Sequence, residues 1–187
     1  MIKKGIALIL TITILMLPMS VQAKSVIRYT TPAKVSLKTN TRSTGKTAYR
    51  VKTNTKLAVT KQYKVWAQVH YKGETLYIKK KWLSAKRAPR KYSGAKLRNS
   101  GVLYWGGCKW TWYTQRILPG RGLNIPGRHL DKEGFVCDRN GYIVLAMTRS
   151  DRVNRTVVPT PFGKFGKCYD CGGGGYAWRD CYTDWTP

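Results

Sequence analysis

The stretch Val65-Trp66-Ala67-Gln68-Val69-His70-Tyr71 sets the period of this chain. Val65, Ala67, Val69 and Tyr71 fall on one face of an extended segment, the two-residue repeat of a half-buried strand. Lys72-Gly73-Glu74 then reads as a tight hairpin turn, and Leu76-Tyr77-Ile78 as the returning strand. Val35-Ser36-Leu37 and Leu57-Ala58-Val59-Thr60 add further short strands, and Trp82-Leu83 closes the unit. Short strands at this spacing predict an all-β sandwich or barrel. The 18 Gly and 8 Pro oppose an all-helical fold, as does the wealth of Thr, Val, Tyr and Trp.

The second half shows another β pattern. Val102-Leu103-Tyr104-Trp105 and Trp110-Thr111-Trp112-Tyr113 flank the turn pair Gly106-Gly107. An irregular stretch from Pro119 to Asn140 carries His129. Gly141 to Ala146 reads as a buried strand, Thr156-Val157-Val158 as another, and Pro159 to Gly163 as a turn. Trp178 to Trp185 forms an aromatic strand at the end.

Met1 to Ala23 reads as a secretory signal. Lys3 and Lys4 precede an uncharged run from Gly5 to Leu17, Pro18 breaks it, and Val21-Gln22-Ala23 offers a cleavage site. Lys and Arg number 35 against 8 Asp and Glu, a formal charge of +27. Residues 24–85 hold 15 of the basic residues and a single acid, Glu74, whereas residues 101–187 hold 12 basic and 7 acidic residues. This shift divides the chain into a unit at 24–85, a basic linker at 86–91 and a unit at 92–187. Export argues against a nucleic-acid partner. It points instead to wall polyanions such as teichoic acids, drawn by a long-range, salt-sensitive field, with an unpartnered basic surface as the alternative.

Candidate chemistry lies in the C-terminal unit. Asp170 precedes the glycines 172–175, and Asp180 follows on the aromatic strand between Trp178 and Tyr182. The glycines leave room for a ligand to approach, and rings beside a carboxyl remove water from it, raising its pKa toward that of a usable general acid. For Asp170 the alternative is a turn-former that accepts backbone N–H bonds. The five cysteines, Cys108, Cys137, Cys168, Cys171 and Cys181, suit disulfides or buried thiols in an exported chain. Cys168-Tyr169-Asp170-Cys171 has zinc-pair spacing but lacks a second Cys-x-x-Cys, so no metal or other cofactor is expected.

The N-terminal pattern resembles the bacterial SH3-like domain. The resemblance is carried by Val35-Ser36-Leu37-Lys38, Thr44-Gly45-Lys46 with Val51, Thr53 to Val59, Val65 to Val69 with Gly73, and Tyr77-Ile78 with Trp82-Leu83. It implies a small barrel that binds cell wall, with Trp66, Tyr71 and Tyr77 as groove residues. Trp82 reads more simply as core and His70 as surface.

The C-terminal pattern resembles the 3D domain, a six-stranded double-psi β-barrel named for three aspartates and similar to the catalytic barrel of membrane-bound lytic transglycosylase A. The matching segments are Ile143 to Ala146, Arg155 to Val158, Tyr169-Asp170-Cys171-Gly172-Gly173 and Arg179-Asp180-Cys181-Tyr182. Asp170 falls on the second family aspartate and Asp180 on the third. Thr148 stands at the first, with Asp151 three residues later. Arg155 replaces a family Gly, and Cys171 a family Thr.

The resemblance implies cleavage of peptidoglycan between N-acetylmuramic acid and N-acetylglucosamine. Asp180 would protonate the bridging oxygen and then accept the proton of the muramoyl C6 hydroxyl as a 1,6-anhydro ring closes. Asp170 would hold a hydroxyl or oppose developing positive charge. Thr148, Asp151, Gly172, Gly173, Trp178 and Tyr182 would line the substrate. Two other classes remain open at this level: a non-catalytic peptidoglycan binder, prompted by Thr148, and a secreted toxin-like basic protein.

Overall fold

The computed structural model describes residues 25–42, 44–114, 123–148, 156–172 and 177–186. The segment Met1–Ala23 that reads as a signal, Asp151, Arg155 and Gly173 lie outside the described residues. The fold is all-β in class, with two sheets, one short α-helix and one 3-10 turn at Lys80–Trp82 among the described residues.

The first sheet contains β1 (Val26–Thr30), β2 (Lys34–Lys38), β3 (Thr47–Lys52), β4 (Lys56–Gln62), β5 (Trp66–Tyr71), β6 (Glu74–Lys79) and β7 (Leu83–Ser84). Its order is β3-β2-β6-β5-β4-β1-β7, an open path in which every pairing is antiparallel. Alternation puts Val35, Leu37, Leu57, Val59, Ala67, Val69, Leu76 and Ile78 on the buried face. Lys72 and Gly73 both have positive φ, 50° and 81°, the backbone that a two-residue hairpin between right-twisted strands requires.

Val65 departs from the alternation. It precedes β5 in a bend and is 54% exposed, because its carbonyl accepts from Lys80 N while Tyr63 N closes onto Trp66 O. Backbone pairing across the hairpin mouth thus overrides the apolar side chain. Trp82 packs partly buried against the core of this sheet, and His70 is exposed, as the sequence suggests.

In the second unit α1 (Gly94–Ser100) precedes β8 (Leu103–Trp105), β9 (Cys108–Thr114), β10 (His129–Leu130), β11 (Val136–Cys137), β12 (Ile143–Thr148), β13 (Val157–Pro159), β14 (Phe165–Gly172) and β15 (Trp178–Thr183). The main path runs β10-β11-β12-β15-β9-β8, and β14 joins β12 to β13. This path is also open. β12 pairs with β14 in parallel and β15 pairs with β9 in parallel, so crossover connections rather than hairpins build the middle of the sheet. One face of β12 sends Ile143, Leu145 and Met147 into the main core. There Phe135 stacks on Phe162 at 4.9 Å and on Trp185 at 5.1 Å between ring centres.

The helix is absent from the sequence reading. It spans seven residues, is capped by Ser93 Oγ accepting from Lys96 N at 3.1 Å, and buries Leu97 as its one large apolar side chain. A single buried side chain produces no period.

The two units are stitched together by short polar contacts. Ala33 N donates to Asn140 O at 2.8 Å, the Thr31 and Tyr142 hydroxyls share a hydrogen bond of 2.6 Å, and Asn54 Nδ2 donates to Gly163 O at 3.3 Å as well as to Ala88 O of the linker at 2.8 Å. Gly141 makes this approach possible. Its φ is +76°, and a Cβ there would meet Ala33 Cβ at 2.4 Å. Gly141→Ala is therefore expected to cost ~2 kcal/mol or more through backbone strain and collision. A thermal melt checks this, with a midpoint about 5 °C below the parent.

Candidate active site

The second face of the C-terminal sheet is set by register. Ala146 on β12 pairs with Asp170 on β14 and with Asp180 on β15. Residues directly opposite one another share a face, so both carboxyls rise on the same side with one alanine between them. Two strand spacings place their Cα atoms roughly 10 Å apart.

Alternation along β15 adds Trp178 and Tyr182 to that face, and the parallel register with β9 sets Thr111 beside Asp180 and Tyr113 beside Tyr182. Tyr182, Ala146 and Val144 pack with Ile125 and Val136, with Tyr113, Tyr169 and Trp178 against them. The opposite residue, Cys181, enters the main core. A slip of one residue in β15 would exchange acid for thiol on the two faces.

Asp180 is 7% exposed. Burial pushes its carboxyl up from 3.8 to about 6, and the hydrogen bond from Thr111 opposes that rise. Thr111 Oγ1 donates to Asp180 Oδ1 at 2.8 Å, while Trp178 Nε1 donates to Thr111 Oγ1 at 2.8 Å. Indole N–H is only a donor, so the threonine hydroxyl must accept from it and direct its single proton at the carboxyl.

Asp170 lies in a different setting. It is half-buried, its Oδ2 accepts from Tyr182 Oη at 2.9 Å, and its Oδ1 accepts from the backbone N of Cys171 at 2.7 Å. Tyr182 reaches it diagonally across β12, over the small Ala146 side chain. Burial, and then this bond, raise the Tyr182 hydroxyl far above its ordinary value, so it stays a donor. The two acids thus divide: one shielded and able to hold a proton near pH 6, the other engaged as an acceptor.

Thr148 ends β12 on the same face. Its Oγ1 accepts from Trp178 N at 3.0 Å and donates to Trp178 O at 3.4 Å, tying down the start of β15. Gly172 ends β14, and Asp151 and Gly173 lie outside the described residues. Thr111 is the member of this group that the sequence reading did not single out. Its alternation with Tyr113 on an aromatic strand is visible in the sequence, but its pairing with β15 is not.

All five cysteines are thiols in this structure. Burial pushes Cys137 up to about 12 and raises Cys181 well above its ordinary value, which makes both poor nucleophiles. His129 is exposed, with Nδ1 3.0 Å from Gly127 O. Among the described residues no group of three His, Cys, Asp or Glu side chains is placed to hold a metal ion.

On the first sheet, Trp66 and Tyr77 share an open groove of about 650 Å³ with Tyr63, Lys64 and Lys79. Tyr71 faces the other way. It packs on the interior cluster and meets Tyr49 edge-on at 5.4 Å, so it does not join that groove.

Comparison of the chain with protein-family models, curated proteins and solved structures returns no match.

Two outcomes follow from this geometry. Thr111→Val removes the donor that favours the carboxylate, so Asp180 is expected to titrate above about 6, read by carbon NMR of the carboxyl against pH. The second concerns stability. Between about pH 4 and about 6 the folded protein holds a proton on Asp180 that the unfolded chain has released. This group's contribution to stability therefore falls as pH rises through that window and is flat above it. Asp180→Asn removes the slope and is expected to gain up to ~3 kcal/mol at neutral pH, at about 1.4 kcal/mol per pKa unit, read by denaturant unfolding at several pH values.

Proposed function

We propose that this protein is an exported wall-binding enzyme that cleaves the glycan strands of peptidoglycan, with Asp180 as the one acid and base. In this reading the N-terminal unit is an SH3-like wall binder, and the C-terminal unit is a double-psi barrel of the 3D type. The crossover-built parallel pairs β12/β14 and β9/β15 support the second assignment over a simple meander.

The observation that carries the reading is the buried Asp180 carboxyl, held up to about 6 on a face shared with Asp170, Trp178 and Tyr182. A carboxyl of that pKa is protonated often enough near neutrality to give a proton to a glycosidic oxygen. Once ionised, it can take the proton of the sugar's own C6 hydroxyl. That hydroxyl attacks C1, the bond to the bridging oxygen breaks, and the ring closes without water. Ordinary glycosidases use two carboxyls for these duties. Here Asp170 has both oxygens engaged, by Tyr182 and by Cys171 N, which supports the one-carboxyl scheme. Asp170 then faces the developing oxocarbenium ion, with Tyr182 orienting it.

Thr148 favours a second reading, a wall binder without chemistry. It has no carboxyl, so it brings no third acid, and its hydroxyl bonds the Trp178 backbone.

Incubation of the protein with purified sacculi separates the two. Cleavage releases fragments with 1,6-anhydro ends, identified by mass spectrometry, whereas the binder sediments with sacculi and releases nothing. Asp180→Asn is expected to lower release at least ~10³-fold while leaving sedimentation unchanged, the loss typical of removing an acid–base group. Release by the parent protein is expected to decline above about pH 6 as Asp180 loses its proton.

A further inference from the structure

The +27 charge has a place in the fold. On the first sheet, alternation brings Lys34 and Lys38 of β2, Arg50 of β3 and Lys79 of β6 to one hollow of about 470 Å³, walled by Trp66 and Trp82. Three separate strands supply these cations, so the cluster is a product of register and not of a run of basic residues. Among the described residues no carboxylate lines the hollow.

This hollow is the middle of three. It shares Trp66 and Lys79 with the groove of Tyr63 and Tyr77, and Trp82 and Asn140 with a hollow of about 440 Å³ where the two units meet. That last hollow adds Lys81 and Lys167, and again no carboxylate among the described residues lines it. The buried Asp138 lies behind Lys167, at 3.6 Å. A basic track therefore runs from Lys64 across the outer face of the first sheet to Lys167 on β14.

We propose that this track binds a linear polymer of phosphodiesters joined by small neutral polyols, laid across both units. Cations strung through three hollows match an anion repeated along a flexible chain better than a single ion. Lysine suits that ligand, since it meets phosphate as a point charge and needs no fixed fork geometry. Single-stranded nucleic acid fits less well. It stacks its bases on successive aromatic faces, and in the middle hollow Lys79 Nζ lies 5.7 Å from the ring centres of both Trp66 and Trp82, which leaves Tyr63 and Tyr77 at one end of the track as the rings without that lysine. The inference goes beyond glycan cleavage and does not need Asp180.

The test uses the whole protein and a soluble poly(glycerol phosphate) chain. Lys34→Gln with Arg50→Gln removes two charges from the middle hollow. Lys96→Gln with Arg98→Gln removes the same two types from exposed positions on α1. Circular dichroism checks that both variants fold. The first pair is expected to weaken binding at least tenfold and the second less than twofold. The slope of log affinity on log salt should fall by about 1.4 in the first pair alone, at ~0.7 per lost phosphate contact. Walls carrying the polymer and vesicles carrying its lipid-anchored form distinguish its sources, and capture by either that is sensitive to the first pair supports the proposal. Equal loss in both pairs overturns it in favour of diffuse attraction. A single-stranded DNA of equal charge that binds as tightly, with the same sensitivity, overturns it in favour of nucleic acid. Asp180→Asn is expected to bind the polymer unchanged, so loss of cleavage and loss of polymer binding are read separately.

Discussion

The register of β12 against its two neighbours is the constraint on which the C-terminal unit turns. One alanine, Ala146, meets Asp170 on one side and Asp180 on the other. A bulge in the pairing with β14, between Leu145 and Ala146, sets the alignment on that side. The alanine methyl is small enough for Tyr182 to cross above it to Asp170. The same alternation that puts Leu145 and Met147 into the aromatic core puts the polar group on the other face. Core and site are two faces of one pairing.

The two acids differ because their surroundings differ. Asp180 loses water and gains one hydroxyl donor, so its proton is held to a higher pH. Asp170 keeps partial exposure and gains two donors. Environments that separate two carboxyls in this way commonly assign them separate duties. Across the molecule, charge is divided as well. The acids are concentrated in the unit that carries the polar face, while the first sheet carries cations on the surface turned away from its core.

The all-β class and most strands were legible in the sequence, because alternation and turn glycines report directly on strands. Lys72-Gly73 and Gly106-Gly107 do occupy hairpin turns with positive φ. The strands β1, β3, β10, β11 and β14 and the helix α1 were not legible. β1 leaves Val26 and Ile27 exposed, β3 fully buries only Val51, and α1 buries one large side chain, so none of these writes a clear pattern. β10 and β11 are two residues each inside the stretch that reads as irregular, and a bulge in the pairing of β14 with β12 interrupts its alternation. Val65 fits the alternation but lies outside the strand, because backbone pairing at the hairpin mouth decided the matter. Within the site, Asp180 and its aromatic neighbours were visible, since they are close in sequence. Thr111 was not, because its partner is 69 residues away and only a parallel register joins them.

The chain of bonds from Trp178 through Thr111 to Asp180 has a direction. The indole can only give, so the hydroxyl must pass its hydrogen onward to Oδ1. That oxygen already accepts one hydrogen bond, which favours the acid's own hydrogen on Oδ2. A neutral Asp180 is thus a handed object: it presents its hydrogen from one oxygen, on one side.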